Sequence, residues 1–224
     1  MVKGLIFDAD GTLIDSMPDF YQMVGVFLSN MGLPAATNED IKKSIGKGAL
    51  VTMRTILSLQ GYTIKDEAQE KQLFADFMAI YNNSPLDKSV LWSNVKTTLD
   101  LLQNQGYIMA ICTNKPHLPA LHTTERLDIA KYFAQITDAD SSPYMKPDER
   151  IVEFTADKMK VSVSDCVFIG DSSTDIKTAK NCSIPSILVS YGYEPNDITT
   201  LGADYIIDDF SELPDVLKKI DGYS

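Results

Sequence analysis

With 224 residues, 44% of them apolar and 23% charged, the chain has the make-up of an ordinary globular protein and the length for one or two domains. Its formal net charge of −11 argues against nucleic acid or an anionic membrane as partner, since basic surfaces recruit both. No run approaches the roughly 20 apolar residues of a membrane span, no secretory leader is legible at the start, and three cysteines (Cys112, Cys166, Cys182) without a C-x-x-C spacing read as reduced thiols, so a cytoplasmic protein is expected.

In chain order, GLIF (4–7) reads as a short buried strand that ends on Asp8. Residues 15–88 then carry helical periodicity. Phe20, Val24, Phe27, Leu28 and Met31 form one amphipathic stripe, and residues 49–59 and 67–81 continue the pattern with no strand between. This predicts an all-helical insertion that returns to the sheet near Ser84-Pro85. Beyond it, helical segments at 95–105 and 148–160 alternate with the apolar runs YIMAICT (107–113), CVFIG (166–170), SILVS (186–190) and DYIID (204–208). Such alternation predicts an α/β fold of βαβ units around a parallel sheet, from residues 1–14 and 89–224, with the helical insertion at residues 15–88. In these sheets ligands sit beyond the carboxyl ends of the strands, where Asp8, Thr113 and Asp171 each close an apolar run.

A carboxylate beside an apolar strand is costly unless something compensates it. Here Asp8 is followed by Asp10, and Gly11 suits a turn that side chains obstruct, so both acids can reach one mouth. Two close carboxylates repel. A hard cation such as Mg²⁺ bound through carboxylate oxygens relieves this, or one acid keeps its proton. Together these give one ionised nucleophile and one proton donor. D-x-D-G also suggests a calcium loop, but an EF-hand has a helix before it and glycine sixth, whereas here a strand precedes and glycine is fourth. A plain acidic turn is the remaining alternative.

Three later segments supply partners. Thr113 and Asn114 end a strand with a hydroxyl and an amide, both suitable donors to a phosphate oxygen, although a strand-end threonine also serves as a turn former. Lys146, before Pro147, can neutralise an anionic nucleophile and a phosphoryl group. Asp171 can ligate a metal held by Asp8, with Asp175 orienting the ligands or simply offsetting a helix dipole. Together they make a phosphoryl-transfer kit, and no Walker A loop, G-x-G-x-x-G or nucleophile elbow competes with it.

FDADGTL, TNKP, KPDE and GDSSTD, in that order across nearly the whole chain, resemble the four motifs of the haloacid dehalogenase superfamily. TNKP, YGY (191–193) and ADYIIDDFSEL (203–213) are similar to its phosphoglycolate phosphatase-like branch. The resemblance implies a Rossmann-like, doubly wound parallel sheet with residues 15–88 as an inserted α-helical cap, and a Mg²⁺-dependent phosphatase acting on a small phosphorylated metabolite such as 2-phosphoglycolate; a monomer or homodimer is expected. It makes Asp8 the nucleophile that becomes an aspartyl-phosphate and Asp10 the general acid and base. Thr113 and Asn114 then bind the phosphoryl group, and Lys146 stabilises it together with Asp8. Asp8, the Asp10 carbonyl and Asp171 hold the metal, with Asp175 in support. A β-phosphoglucomutase-like mutase and an inorganic pyrophosphatase share this site and stand as alternatives. A non-enzymatic binding module is expected to lack the nucleophile or metal ligands, and this chain has them. Ser93-Asn94 and Asn181-Cys182-Ser183 depart from the Pro-Gly and Ala-Gly usual at those places.

Within the expected cap, IGKGA (45–49) places Lys47 between two glycines, where it can meet a carboxylate or second anionic group of a substrate. Lys47 and Arg54, further along, otherwise read as solvated residues. Tyr21, Met23 and Met53 are expected in the cap core, and His117 and His122 as surface or helix-cap residues.

Overall fold

The computed structural model describes residues 1–222. Its strands and α-helices are β1 (Gly4–Phe7), β2 (Ile14–Asp15), α1 (Met17–Asn30), α2 (Asn38–Ser44), α3 (Ala49–Leu59), α4 (Glu67–Asn83), β3 (Val90–Leu91), α5 (Val95–Asn104), β4 (Ile108–Cys112), α6 (His117–Arg126), β5 (Phe133–Thr137), α7 (Arg150–Met159), β6 (Cys166–Gly170), α8 (Ser173–Asn181), β7 (Ser186–Val189), β8 (Tyr205–Ile207) and α9 (Leu213–Ile220).

Six strands make one parallel sheet in the order β5-β4-β1-β6-β7-β8. Strand β1 is fully buried at its centre, with Leu5 opposite both Met109 and Val167. Alternate side chains leave a strand on opposite faces. Leu5 and Phe7 accordingly join an apolar cluster with Leu99 of α5 and Leu217 of α9. Ile6 joins Ala110 and Val152 of α7 on the other face. Covered on both faces, the central strands read as unbroken apolar runs in the sequence. The chain builds outward from β1 through β4 to β5, then crosses back to lay β6 on the other side of β1. That reversal opens a crevice at the carboxyl ends of β1 and β6.

Helices α1–α4 have an apolar cluster of their own, built on Val24, Phe27, Met53 and Phe77, with the Phe27 and Phe77 rings edge to face at 5.1 Å. The sequence expectation placed Tyr21 in this core with Met23 and Met53. Both methionines are buried, but Tyr21 is exposed. The buried stripe of α1 runs through residues 20, 23, 24, 27 and 28, and position 21 lies about 100° off Phe20 around the helix. Helix α2, unremarked in the sequence, starts on a reciprocal cap: the Thr37 hydroxyl accepts from the Asp40 N–H, and the Asp40 carboxylate accepts from the Thr37 N–H. The chain leaves and re-enters the sheet region through a two-stranded antiparallel ribbon, with Ile14 opposite Leu91.

The two departures from the usual glycines fall at left-handed backbone positions, Asn94 at φ 62° and Ser183 at φ 55°. Asn94 is compensated by its amide, which donates to both carboxylate oxygens of Asp209 at 2.9 and 3.0 Å. No side-chain hydrogen bond offsets the strain at Ser183 among the described residues. Ser183→Gly is therefore expected to stabilise the protein by about 1 kcal/mol and raise Tm by roughly 2–4 °C, whereas Asn94→Gly gains less or nothing. Thermal unfolding followed by circular dichroism checks this; an equal response at both positions counts against the strain argument.

Candidate active site

The carboxyl edge of the sheet gathers the predicted residues. Asp8 follows β1, Thr113 follows β4, Lys146 lies in the loop after β5, and Asp171 follows β6; all four are buried. Lys146 is the centre: its Nζ lies 2.9 Å from Asp8 Oδ1 and 2.7 Å from Asp175 Oδ1. Asp8 Oδ1 also accepts the Ala9 N–H at 2.7 Å, leaving its Oδ2 uncommitted among the described residues.

Asp175 stands in the first turn of α8. Its Oδ2 accepts from the Ser172 N–H, the Ser172 hydroxyl and the Asp171 N–H at 3.0, 2.7 and 3.2 Å, so both its oxygens are committed to protein groups. Asp171 accepts from the Tyr193 N–H at 2.8 Å and the Thr12 hydroxyl at 3.2 Å. Gly11, at φ 84°, passes so close to the Asp171 carboxylate that a Cβ there would strike it. This is the physical reason for glycine in D-x-D-G.

Burial pushes the Asp8 carboxyl up to about 6; Lys146 pulls it down, and repulsion from Asp175 and Asp10 adds to the rise. Burial, then Asp175 and Asp8, likewise hold Asp171 well above the usual carboxylate range. Burial alone would lower Lys146, but Asp175 and Asp8 outweigh it and keep its ammonium above the ordinary lysine value. Asp8, Asp171 and Asp175 each bring an oxygen within 4.8 Å of the others. Fully ionised, three carboxylates against one ammonium would leave two negative charges in a buried space, and that repulsion is part of what raises Asp8 and Asp171. A divalent cation fits that deficit, and oxygen ligands suit a hard one.

The structure removes the side-chain amide of Asn114 from the expected phosphate donors. Both N–H bonds of the Asn114 amide are used by main chain, the carbonyls of Lys146 at 3.0 Å and Gly46 at 3.2 Å, while its Oδ1 accepts the Lys146 N–H at 2.9 Å. No side-chain donor remains for a phosphate, so Asn114 positions Lys146. The Thr113 hydroxyl accepts the Lys115 N–H at 3.3 Å and keeps its own proton free to donate. Arg54 is paired with Glu70 through two hydrogen bonds at 2.5 and 2.7 Å and lies outside the cavity, whereas Lys47 is exposed at its mouth. His117 opens α6 with its ring nitrogen 2.8 Å from Asp138.

Two participants had gone unassigned. Lys115, inside TNKP, is buried with its Nζ 2.8 and 3.1 Å from the two oxygens of Asp10. Tyr193, inside YGY, holds Asp171. The quoted motifs contained both residues, but their partners lie 105 and 22 positions away, beyond any local spacing signal.

Fold and edge together define a doubly wound α/β enzyme whose site is a lysine-centred set of acids. Comparison with known proteins agrees. The haloacid dehalogenase-like hydrolase family model matches residues 5–189. The phosphoglycolate phosphatase of Agrobacterium fabrum is 34% identical over 216 residues, covering 96% of this chain and 92% of that protein. That of Vibrio parahaemolyticus is 34% identical over 223 residues, covering 96% of each. The crystal structure of a predicted phosphoglycolate phosphatase from Haemophilus somnus superposes with a TM-score of 0.88 at 28% identity, over 96% of this chain and 98% of that one. The chain belongs to the haloacid dehalogenase-like hydrolases and is a phosphatase of that family.

The raised Asp8 has a consequence for stability. Its carboxyl titrates near 3.8 when unfolded and near 6 when folded, so the folded state holds the extra proton between those values. Its contribution is fully present below about pH 4 and is lost as pH rises through 6. In EDTA, Asp8→Asn is expected to unfold at a higher temperature than wild type at pH 7, with the gap closing toward pH 4. Melting curves across that range test it, and a gap independent of pH rejects it.

Proposed function

We propose that this chain hydrolyses a small phosphomonoester, with 2-phosphoglycolate the best-supported substrate, through an aspartyl-phosphate on Asp8. The observation that carries the reading is the Lys146 ammonium bridging Asp8 and Asp175 while Asp8 keeps one oxygen free and lines a cavity. In this reading Asp8 Oδ2 attacks phosphorus in line, the ester oxygen leaves with a proton from Asp10, and the aspartyl-phosphate forms. Water then attacks phosphorus, gives its proton to Asp10, and returns Asp8 as a carboxylate. Lys146 and the Thr113 hydroxyl offset charge on the phosphoryl oxygens throughout. Mg²⁺, held by Asp8, Asp171 and the Asp10 carbonyl with Asp175 behind them, would supply the remaining positive charge.

The cavity supports a small substrate. Its volume is about 90 Å³, with Phe20, Phe77 and Tyr81 of the helical insertion closing one side. Sites for drug-sized ligands usually run to roughly 300–1,000 Å³, so a two-carbon ester fits this space better than the hexose phosphate a mutase must turn over. The curated relatives named for phosphoglycolate point the same way. The chain's acidity supports a free metabolite over a nucleic-acid ester.

Asp8→Asn is expected to lower kcat by at least ~10³-fold while the protein stays folded. EDTA should silence the wild type and Mg²⁺ restore it. Phosphate release from 2-phosphoglycolate, glucose 1-phosphate and pyrophosphate gives the comparison. Near wild-type turnover by Asp8→Asn removes the nucleophile assignment, and conversion of glucose 1-phosphate to an isomer replaces the phosphatase with a mutase.

A further inference from the structure

Lys115 is a buried cation that the hydrolytic steps above leave without a task. Its side chain is 2% exposed, and its Nζ spans both oxygens of Asp10. The same ammonium lies 5.3 Å from the Phe20 ring centroid and 5.8 Å from that of Tyr81, so two aromatic faces from α1 and α4 enclose it. The Tyr81 hydroxyl beside it is buried and interacts with that ammonium, and it has no other hydrogen-bond partner among the described residues. An ammonium can only donate to that hydroxyl, so the Tyr81 O–H proton is left to give to a group that enters the cavity. Lys115, Tyr81, Asp10 and Asp8 all line the one cavity.

We infer that Lys115 and Tyr81 form the receptor for a second anionic group of the substrate, and that Asp10 occupies this receptor in the free enzyme. The inference rests on the proposed phosphatase reading and narrows it to phosphoesters that carry a carboxylate next to the ester carbon. In that reading Asp10 touches the ester oxygen, and Lys115 lies one hydrogen bond beyond Asp10. A carboxylate one carbon from the ester oxygen falls at that remove. It exchanges with Asp10 on the ammonium and takes the Tyr81 hydroxyl as second donor; Asp10, freed of its ion pair, takes a proton from solvent and turns to the ester oxygen. A neutral ester has nothing to exchange and leaves the Lys115–Asp10 pair closed.

Burial favours Lys115 over the exposed Lys47 in this task, because a charge contact out of water discriminates more strongly than one at the cavity mouth. Lys47 keeps a part in drawing anions toward the opening, together with Lys42 and Lys43.

The test is the preference for 2-phosphoglycolate over ethyl phosphate, measured as kcat/KM at fixed Mg²⁺ for wild type, Tyr81→Phe and Lys115→Met. The preference is expected to fall at least ~10-fold in Lys115→Met and about threefold in Tyr81→Phe. An unchanged preference in both variants overturns the inference. Should Lys115→Met fail to fold, Tyr81→Phe and a wild-type comparison of 2-phosphoglycolate with its neutral amide decide. Equal kcat/KM for acid and amide rejects the receptor; a preference for the acid that shrinks in Tyr81→Phe supports it, and one that does not shrink rejects it. If the wild type hydrolyses none of these esters, the phosphatase reading itself falls. If it hydrolyses all of them alike, only the receptor does.

Discussion

The contact on which the site depends is the ammonium of Lys146 between Asp8 and Asp175. Its side chain is 1% exposed, and those of its partners are 7% and 0% exposed. Out of water, ionised groups this close either pair or lose their charge, and breaking a buried pair is far costlier than breaking one at the surface. Lys146 cannot be displaced without stranding two carboxylates, which ties the loop after β5 to the ends of β1 and β6. The Asn114 amide adds three hydrogen bonds to the Lys146 and Gly46 main chain. A lysine on an otherwise irregular loop therefore has its ammonium placed as firmly as a residue on a strand.

The same contact explains why a divalent ion is the natural completion. One lysine cannot neutralise three acids, and a second lysine nearby is already taken up by Asp10. Asp175 has both oxygens committed to protein donors, whereas Asp8 retains one free. The acids thus divide into one that braces the site, with three donors on a single oxygen, and two held more lightly, Asp171 with one donor on each oxygen and Asp8 with one oxygen free. That division follows from backbone position: Asp175 sits three residues into a helix that begins on Ser172 and is recruited to its cap, while Asp8 and Asp171 follow strands directly.

Central strands and acid pairs were legible because their signals are local. GLIF and CVFIG are apolar without interruption since helices cover both faces, and the sheet's carboxyl edge follows from strand direction alone. Strand β5, FAQIT, escaped because it lies at the sheet edge, with Gln135 and an exposed alanine interrupting the apolar pattern. The β2–β3 ribbon has two residues per strand, too few for any periodicity. Asn114 was misread for a different reason. An amide beside a hydroxyl at a strand end suggests a ligand donor, and only the fold reveals that a main-chain loop claims it first. Lys115 was silent because its meaning depends on an acid at the far end of a βαβ crossover and on aromatic rings from the inserted helices.

Those inserted helices are joined to the charge cluster by more than proximity. The Tyr193 N–H donates to Asp171, and its hydroxyl accepts from the Ser16 and Met17 amides at 2.7 and 3.1 Å and donates to Asp15 at 2.7 Å, where the chain passes from the sheet region into α1. On the return path the buried Asp19 accepts from the Lys88 and Ser89 amides and from the Ser89 hydroxyl. Asn114 adds the link from Lys146 to Gly46. Each hydrogen bond is worth only about 0.5–1.5 kcal/mol net. Together they mean that tilting the helices over the cavity strains the residues that hold Asp171 and Lys146. The site is therefore set by two bodies at once: the sheet supplies the acids and their directions, and the helices supply the wall, the aromatic enclosure of Lys115 and part of the bracing. A change that loosens the helical cluster should reach the chemistry through these few polar ties before it reaches it through the core.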